Sequence, residues 1–130
     1  MTPASLCLAL ALLAPLPALA QTPLTAAEFE AFVSGKTLTY ATQGEVYGAE
    51  TYLPGRKVVW HGPDEGCVKG SWTETDGQLC FVYDDDPAPI CWTLVPVGAG
   101  LEGQITGDPP DTEATVLTPT DQPVPCDLTK

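Results

Sequence analysis

Residues 67–95 read CVKGSWTETDGQLCFVYDDDPAPICWTLV. Apolar side chains recur at alternate positions on either side of two turn signals, Asp76-Gly77 and the Asp84–Pro89 run. That is the pattern of consecutive antiparallel strands. If Thr73 pairs with Gln78 across a loop of residues 74–77, Trp72 faces Leu79 and Gly70 faces Phe81, whose ring can lie over bare backbone. Pairing Cys80 with Cys91 in the next hairpin sets Leu79 opposite Trp92 and Phe81 opposite Ile90. One face then carries Val68, Trp72, Leu79, Phe81, Tyr83, Ile90, Trp92 and Leu94. Both cysteines fall on the other face, as a cross-strand disulfide requires.

The chain has five cysteines, and Cys7 belongs to the leader discussed below. The remaining even number, in a short exported chain, reads as two disulfides. The register favours Cys80–Cys91, which leaves Cys67–Cys126 by elimination. No C-x-x-C pair occurs and His61 is the single histidine, so the sequence offers no ligand set for a zinc or copper site. We expect no metal and no cofactor.

Outward from this centre, strand-like segments continue at 36–42, 45–53, 56–60, 67–73, 78–83, 90–96, 101–106 and 112–118. Pro54-Gly55 suits a type II turn, and Asp76-Gly77 tolerates positive φ. The expected fold is mainly β, an antiparallel meander closed as a small barrel or stacked as a sandwich. One short N-terminal helix precedes it. Thr25 caps that helix, Glu28 completes a capping box, and Leu24 with Phe29 forms a hydrophobic staple. Phe29, Phe32 and Val33 share a face, and Gly35 stops the helix. Too short to stand alone, it must dock that face on the sheet. From about 107 to 130 the chain is Pro- and Asp-rich and reads as an extended tail held by Cys126.

Residues 1–20 carry no charge, contain the apolar run Leu6–Leu13 broken by Pro15 and Pro17, and end in Ala18-Leu19-Ala20. This is the order of a secretory signal peptide, too short and Pro-interrupted for a membrane anchor. Residues 21–130 then form a single disulfide-bonded domain, periplasmic or secreted, with no stable membrane insertion once the leader is removed.

Gly66-Cys67-Val68-Lys69-Gly70-Ser71-Trp72, Asp76-Gly77-Gln78-Leu79-Cys80 and Ile90-Cys91-Trp92 together resemble a family of small exported bacterial proteins of unknown function. In that family a G-x-W strand is followed by D-G-x-L-C and a further cysteine. Gly35-Lys36-Thr37-Leu38 is similar as well, and the resemblance spans roughly residues 26–94. It implies an exported β-rich domain and carries over no catalytic residue. Gly70-Ser71-Trp72 also resembles the G-x-W of lipocalins, although there the motif lies on the first strand.

The formal net charge is -12, a field that repels phosphate backbones and excludes nucleic acid as a partner. Tyr40, Tyr52, Trp60, Trp72, Tyr83 and Trp92 can either fill the interior of a small barrel or line its mouth. We take them first as packed core and hold Trp60, Trp72, Tyr83 and Trp92 as the candidate ligand face. Asp84-Asp85-Asp86 reads as a solvated connection, since only alternate carboxylates converge in an extended chain, with a calcium loop as the lesser reading. His61 lacks a nucleophile in a recognisable motif: Ser71 lies between Gly70 and Trp72, outside any G-x-S-x-G. Arg56 and Lys57 read as solvated hairpin ends. The function expected is that of a non-catalytic binding module whose protein or small-molecule partner the sequence does not name. A carrier of small apolar ligands and a carboxylate-dependent hydrolase are the alternatives.

Intact-mass measurement of the exported protein should find cleavage between Ala20 and Gln21. A mature species retaining Met1–Ala20 would defeat the leader assignment.

Overall fold

Alternating apolar side chains give each strand one face to bury, and the strands join edge to edge until the sheet meets its own beginning. The computed structural model describes Ala14 and residues 21–129; the leader, apart from Ala14, and Lys130 lie outside the described residues. The elements are α1 (Ala26–Val33), β1 (Thr37–Thr42), β2 (Glu45–Leu53), β3 (Lys57–Gly62), β4 (Gly66–Thr75), β5 (Gln78–Tyr83), β6 (Asp86–Val97), β7 (Gly100–Ile105) and β8 (Thr115–Thr120). Each strand pairs with the next, and β8 pairs antiparallel with β1 to close a barrel. Of the two architectures the sequence allowed, the barrel is the one found.

The helix plugs one end. Thr25 Oγ1 accepts from the Glu28 amide at 3.2 Å, and the Glu28 carboxylate accepts from the Thr25 amide at 2.9 Å, so two orphan donors of the first turn are satisfied. Phe29 is fully buried, its ring edge-on to Trp72 at 5.0 Å and to Tyr52 at 5.7 Å. Main-chain bonds from Gly35 to Tyr52, from Tyr52 to Lys36 and from Leu24 to Leu94 fasten the segment to the barrel rim. Arg56, expected as a solvated hairpin end, closes this rim instead. It lies 4.4 Å over the Trp72 ring and pairs with Glu30 of α1 at 3.1 Å.

The register of β4 against β5 differs from the sequence reading. Thr75 pairs with Gln78, so Trp72 faces Phe81 and Gly70 faces Tyr83. The cause is the turn: Asp76 and Gly77 both take positive φ, 52° and 77°. A two-residue loop of that kind matches the twist of the flanking strands better than a four-residue one. Because the slip is an even number of residues, every side chain stays on its expected face. In the following hairpin Cys80 faces Cys91 and Leu79 faces Trp92, as read. The disulfides are Cys80–Cys91 and Cys67–Cys126, bonds that persist in oxidising compartments.

The strand expected at 112–118 is found as β8, Thr115–Thr120, and pairs with both β7 and β1, with Val116 outward and Leu117 inward. The stretch from 107 to 130 is therefore not one extended tail. Residues 106–114 form the turn-rich connection from β7 to β8, and the residues after Thr120 leave the sheet again. Pro123 lies with Lys36 and Thr37 beside the start of β1, and Cys126 is bonded to Cys67 on β4. The segment between therefore straps the outer surface of β2 and β3. Val59 is buried there although it points away from the interior, between inward Val58 and Trp60, and Val124 of the strap is buried as well. No helix among the described residues is long and apolar enough to cross a membrane.

Gly70 has no room for a side chain: a Cβ would sit 2.5 Å from the Val82 carbonyl oxygen and 2.8 Å from the Tyr83 ring. Gly70→Val should cost roughly 1–3 kcal/mol despite the better strand propensity of valine. Denaturant unfolding decides it, and an unchanged midpoint would contradict the packing of Tyr83 on bare backbone.

Candidate functional site

Alternation along β2 turns Gly48, Glu50 and Tyr52 inward, which places a carboxylate in the middle of the barrel. Glu50 is fully buried. Tyr40 of β1 donates to its Oε1 at 3.0 Å, and Tyr83 of β5 donates to its Oε2 at 2.5 Å. The Tyr40 and Tyr52 hydroxyls are hydrogen-bonded to each other. Burial of a carboxyl favours its neutral form, and the tyrosine donors only partly offset that, so the Glu50 pKa is pushed up to about 7. The hydroxyls of Tyr40, Tyr52 and Tyr83 are in turn held well above the usual phenol range by burial and by the neighbouring carboxylate.

This layer divides the interior. On the helix side, Phe29, Leu38, Val58, Trp72, Leu79 and Phe81 pack solidly with the leucines of β6, β7 and β8. On the far side, between the 43–44, 63–65 and 84–85 turns, the barrel stays open. A cavity of about 340 Å³ is lined there by Tyr40, Tyr47, Trp60, Tyr83 and Trp92. Three of the four candidate ligand-face residues, Trp60, Tyr83 and Trp92, thus meet at one site. Trp72 does not: it belongs to the filled half, under Phe29 and Arg56. The expectation of a filled core holds for one half of the barrel and fails for the other, because the side chains at the mouth end stand around its wall.

Two backbone devices shape the mouth. Between β1 and β2 the register skips Tyr47, with Tyr40 opposite Gly48 and Ala41 opposite Val46. This β-bulge re-aims Tyr47 from the wall into the opening, where its hydroxyl is bonded to Thr115 Oγ1 at 3.2 Å. Gly48 supplies bare backbone for the Trp60 indole, which any Cβ at that position would overlap. The rings meet mostly edge to face: Tyr40 lies 5.1 Å from Trp60 and 6.2 Å from Trp92. At the rim, Glu65, Asp85 and Asp86 border the same cavity.

Several residues considered in the sequence lie elsewhere. His61 is on the outer face of β3, opposite Ala49 and Cys67. Asp86 Oδ1 accepts from the Ala88 amide at 2.9 Å, shaping its own turn. No group of three or more His, Cys, Asp or Glu able to hold a metal ion occurs among the described residues. Glu50 and Tyr47 were not singled out. The alternation Gly48, Glu50, Tyr52 was the signal for the first, while nothing local announces the bulge behind the second.

Comparison with known proteins gives no guide: no family model, no curated protein and no solved structure matches the chain.

The raised pKa of Glu50 makes stability depend on pH in a definite direction. Below the unfolded value near 4.5 the group is protonated in both states. Above it, the folded protein keeps a proton that the unfolded chain has lost, so stability falls as pH rises through about 7. The full difference is about 3 kcal/mol. Wild type should therefore lose stability relative to Glu50→Gln between pH 5 and 8, the surface acids being common to both. Parallel stability curves would show that burial of this carboxyl does not govern its titration.

Proposed function

We propose that the protein is a non-catalytic binding module of the periplasm or the extracellular medium that holds a small molecule in the open end of its barrel. The single observation behind this reading is the aromatic-lined cavity of about 340 Å³ opposite the helical plug. Its size lies at the lower end of small-ligand sites, which are mostly apolar with a few placed polar groups. An interior filled to both ends would have supported a purely structural barrel or a protein partner alone. Kinship with the exported family that the Gly66–Trp72 pattern resembles belongs to the same proposal, as does export by the leader.

The hydrolase alternative gains little from the geometry. Glu50 has the shifted pKa that marks many active-site carboxyls, yet it is sealed from solvent and both its oxygens are engaged by tyrosines. A substrate atom in the cavity meets the rings of Tyr40 and Tyr83 first.

The test is a titration of N-phenyl-1-naphthylamine, a neutral fluorescent probe, into wild type and into Val68→Phe. Val68 lines the cavity, and the larger ring should fill it and abolish probe binding while the fold is kept. Native mass spectrometry of protein taken from its own compartment should show a retained small molecule as added mass. Absence of probe binding to wild type, or equal binding by the filled variant, would remove the carrier reading.

A further inference from the structure

The cavity is selective in its chemistry. Its hydroxyl-bearing side chains are engaged elsewhere: Tyr40 and Tyr83 donate to Glu50, and the Tyr47 hydroxyl is hydrogen-bonded to Thr115 Oγ1. What these tyrosines offer the opening is ring surface. No Lys or Arg borders the cavity, while three carboxylates do, those of Glu65, Asp85 and Asp86. None of the three makes an ion pair among the described residues, where the one salt bridge is Arg56–Glu30 at the opposite end. Glu65, although exposed, lays its carboxylate over Gly62. A Cβ at Gly62 would overlap its carboxylate and come 2.9 Å from Trp60 Nε1, so the acid and the indole edge share the space above one bare backbone position.

An anionic ligand finds no cation here, and a neutral acceptor finds few free donors. A cation finds ring faces, whose quadrupoles attract positive charge, beneath uncompensated carboxylates. Resting on the reading of this cavity as a ligand site, we propose that its ligand is a small organic cation, an alkylammonium or quaternary amine, held among Tyr40, Tyr47, Trp60 and Trp92 and neutralised by the acidic rim. Glu50 lies behind the floor, so its ionised form adds a further negative charge below the rings. The net charge of -12 draws the same class of molecule toward the protein before contact.

The experiment compares choline with 3,3-dimethylbutan-1-ol, which has the same shape with carbon in place of the charged nitrogen. Both are titrated by calorimetry and by Trp fluorescence at low and high salt. Choline should bind about tenfold more tightly at low salt, the ratio expected of a cation–π site with some desolvation. The advantage should shrink as salt screens the exposed rim. The triple variant Glu65→Gln, Asp85→Asn, Asp86→Asn should lose most of it, while Lys57→Gln at the helical end should not. Equal affinity of the two compounds, tighter binding of the alcohol, or binding of neither overturns the cation assignment. N-phenyl-1-naphthylamine separates the levels of failure. If it still occupies the wild-type barrel, the cavity remains a ligand site of another chemistry; if it does not, the carrier reading falls as well.

Discussion

The pairing of β8 with β1 is the contact on which everything else rests. Six residue pairs, from Thr37–Thr120 to Thr42–Thr115, turn an open sheet with two exposed edges into a surface with an inside. Edge strands invite pairing with other chains, and closure removes the hazard altogether. It also defines the volume that the side chains must share. An eight-stranded barrel has an interior about wide enough to be filled by its own side chains or to hold one small ligand. This chain does both, in different halves.

The division between the halves has a physical basis in Glu50. A buried carboxyl needs partners, because an unpartnered polar group in a low-dielectric interior is costly. Tyr40, Tyr52 and Tyr83 supply them, and in doing so their side chains are drawn across the barrel as a floor. Below it the helix adds Phe29 to complete a dry core. Above it the rings that remain, Trp60, Tyr47 and Trp92, meet Tyr40 of the floor edge to face and otherwise stand along the wall. The cavity is thus a by-product of where the polar layer sits.

Much of the architecture was legible in the sequence because it is governed by local rules. Alternation assigned the faces of β4, β5 and β6, the Thr25-Glu28 box placed the helix start, and the cross-strand register gave Cys80–Cys91. The errors came where one local signal was given too little weight or a distant partner decided the outcome. Asp76-Gly77 specified a two-residue turn, and reading a longer loop slipped the hairpin by an even step. β8 was legible as the strand-like segment 112–118, but the Pro and Asp around it also read as tail, and its closing partner, the first strand, lies far away in the chain. The site was half visible. Trp60, Tyr83 and Trp92 follow from strand parity, whereas Tyr47 depends on a bulge and Glu65 on a loop, neither of which periodicity reports. Trp72 was misassigned for a related reason: parity tells which face a residue is on but not which end of the barrel it occupies.

The two disulfides differ in how far apart their cysteines lie, 11 positions for Cys80–Cys91 and 59 for Cys67–Cys126. Hairpins form quickly from neighbouring residues, whereas joining distant segments costs loop entropy before any contact rewards it. Cys80 and Cys91 therefore meet as soon as β5 and β6 pair, with no need of the rest of the molecule. Cys126 reaches Cys67 only after β8 has found β1, a union of residues such as Thr39 and Thr118, 79 positions apart, and after the strap has been laid across β2 and β3. Loop entropy thus favours the first bond forming with the hairpin and the second with the arrival of the last strand. In an oxidising compartment the later bond makes that final step hard to reverse, since β8 can no longer drift far from the sheet that it completes.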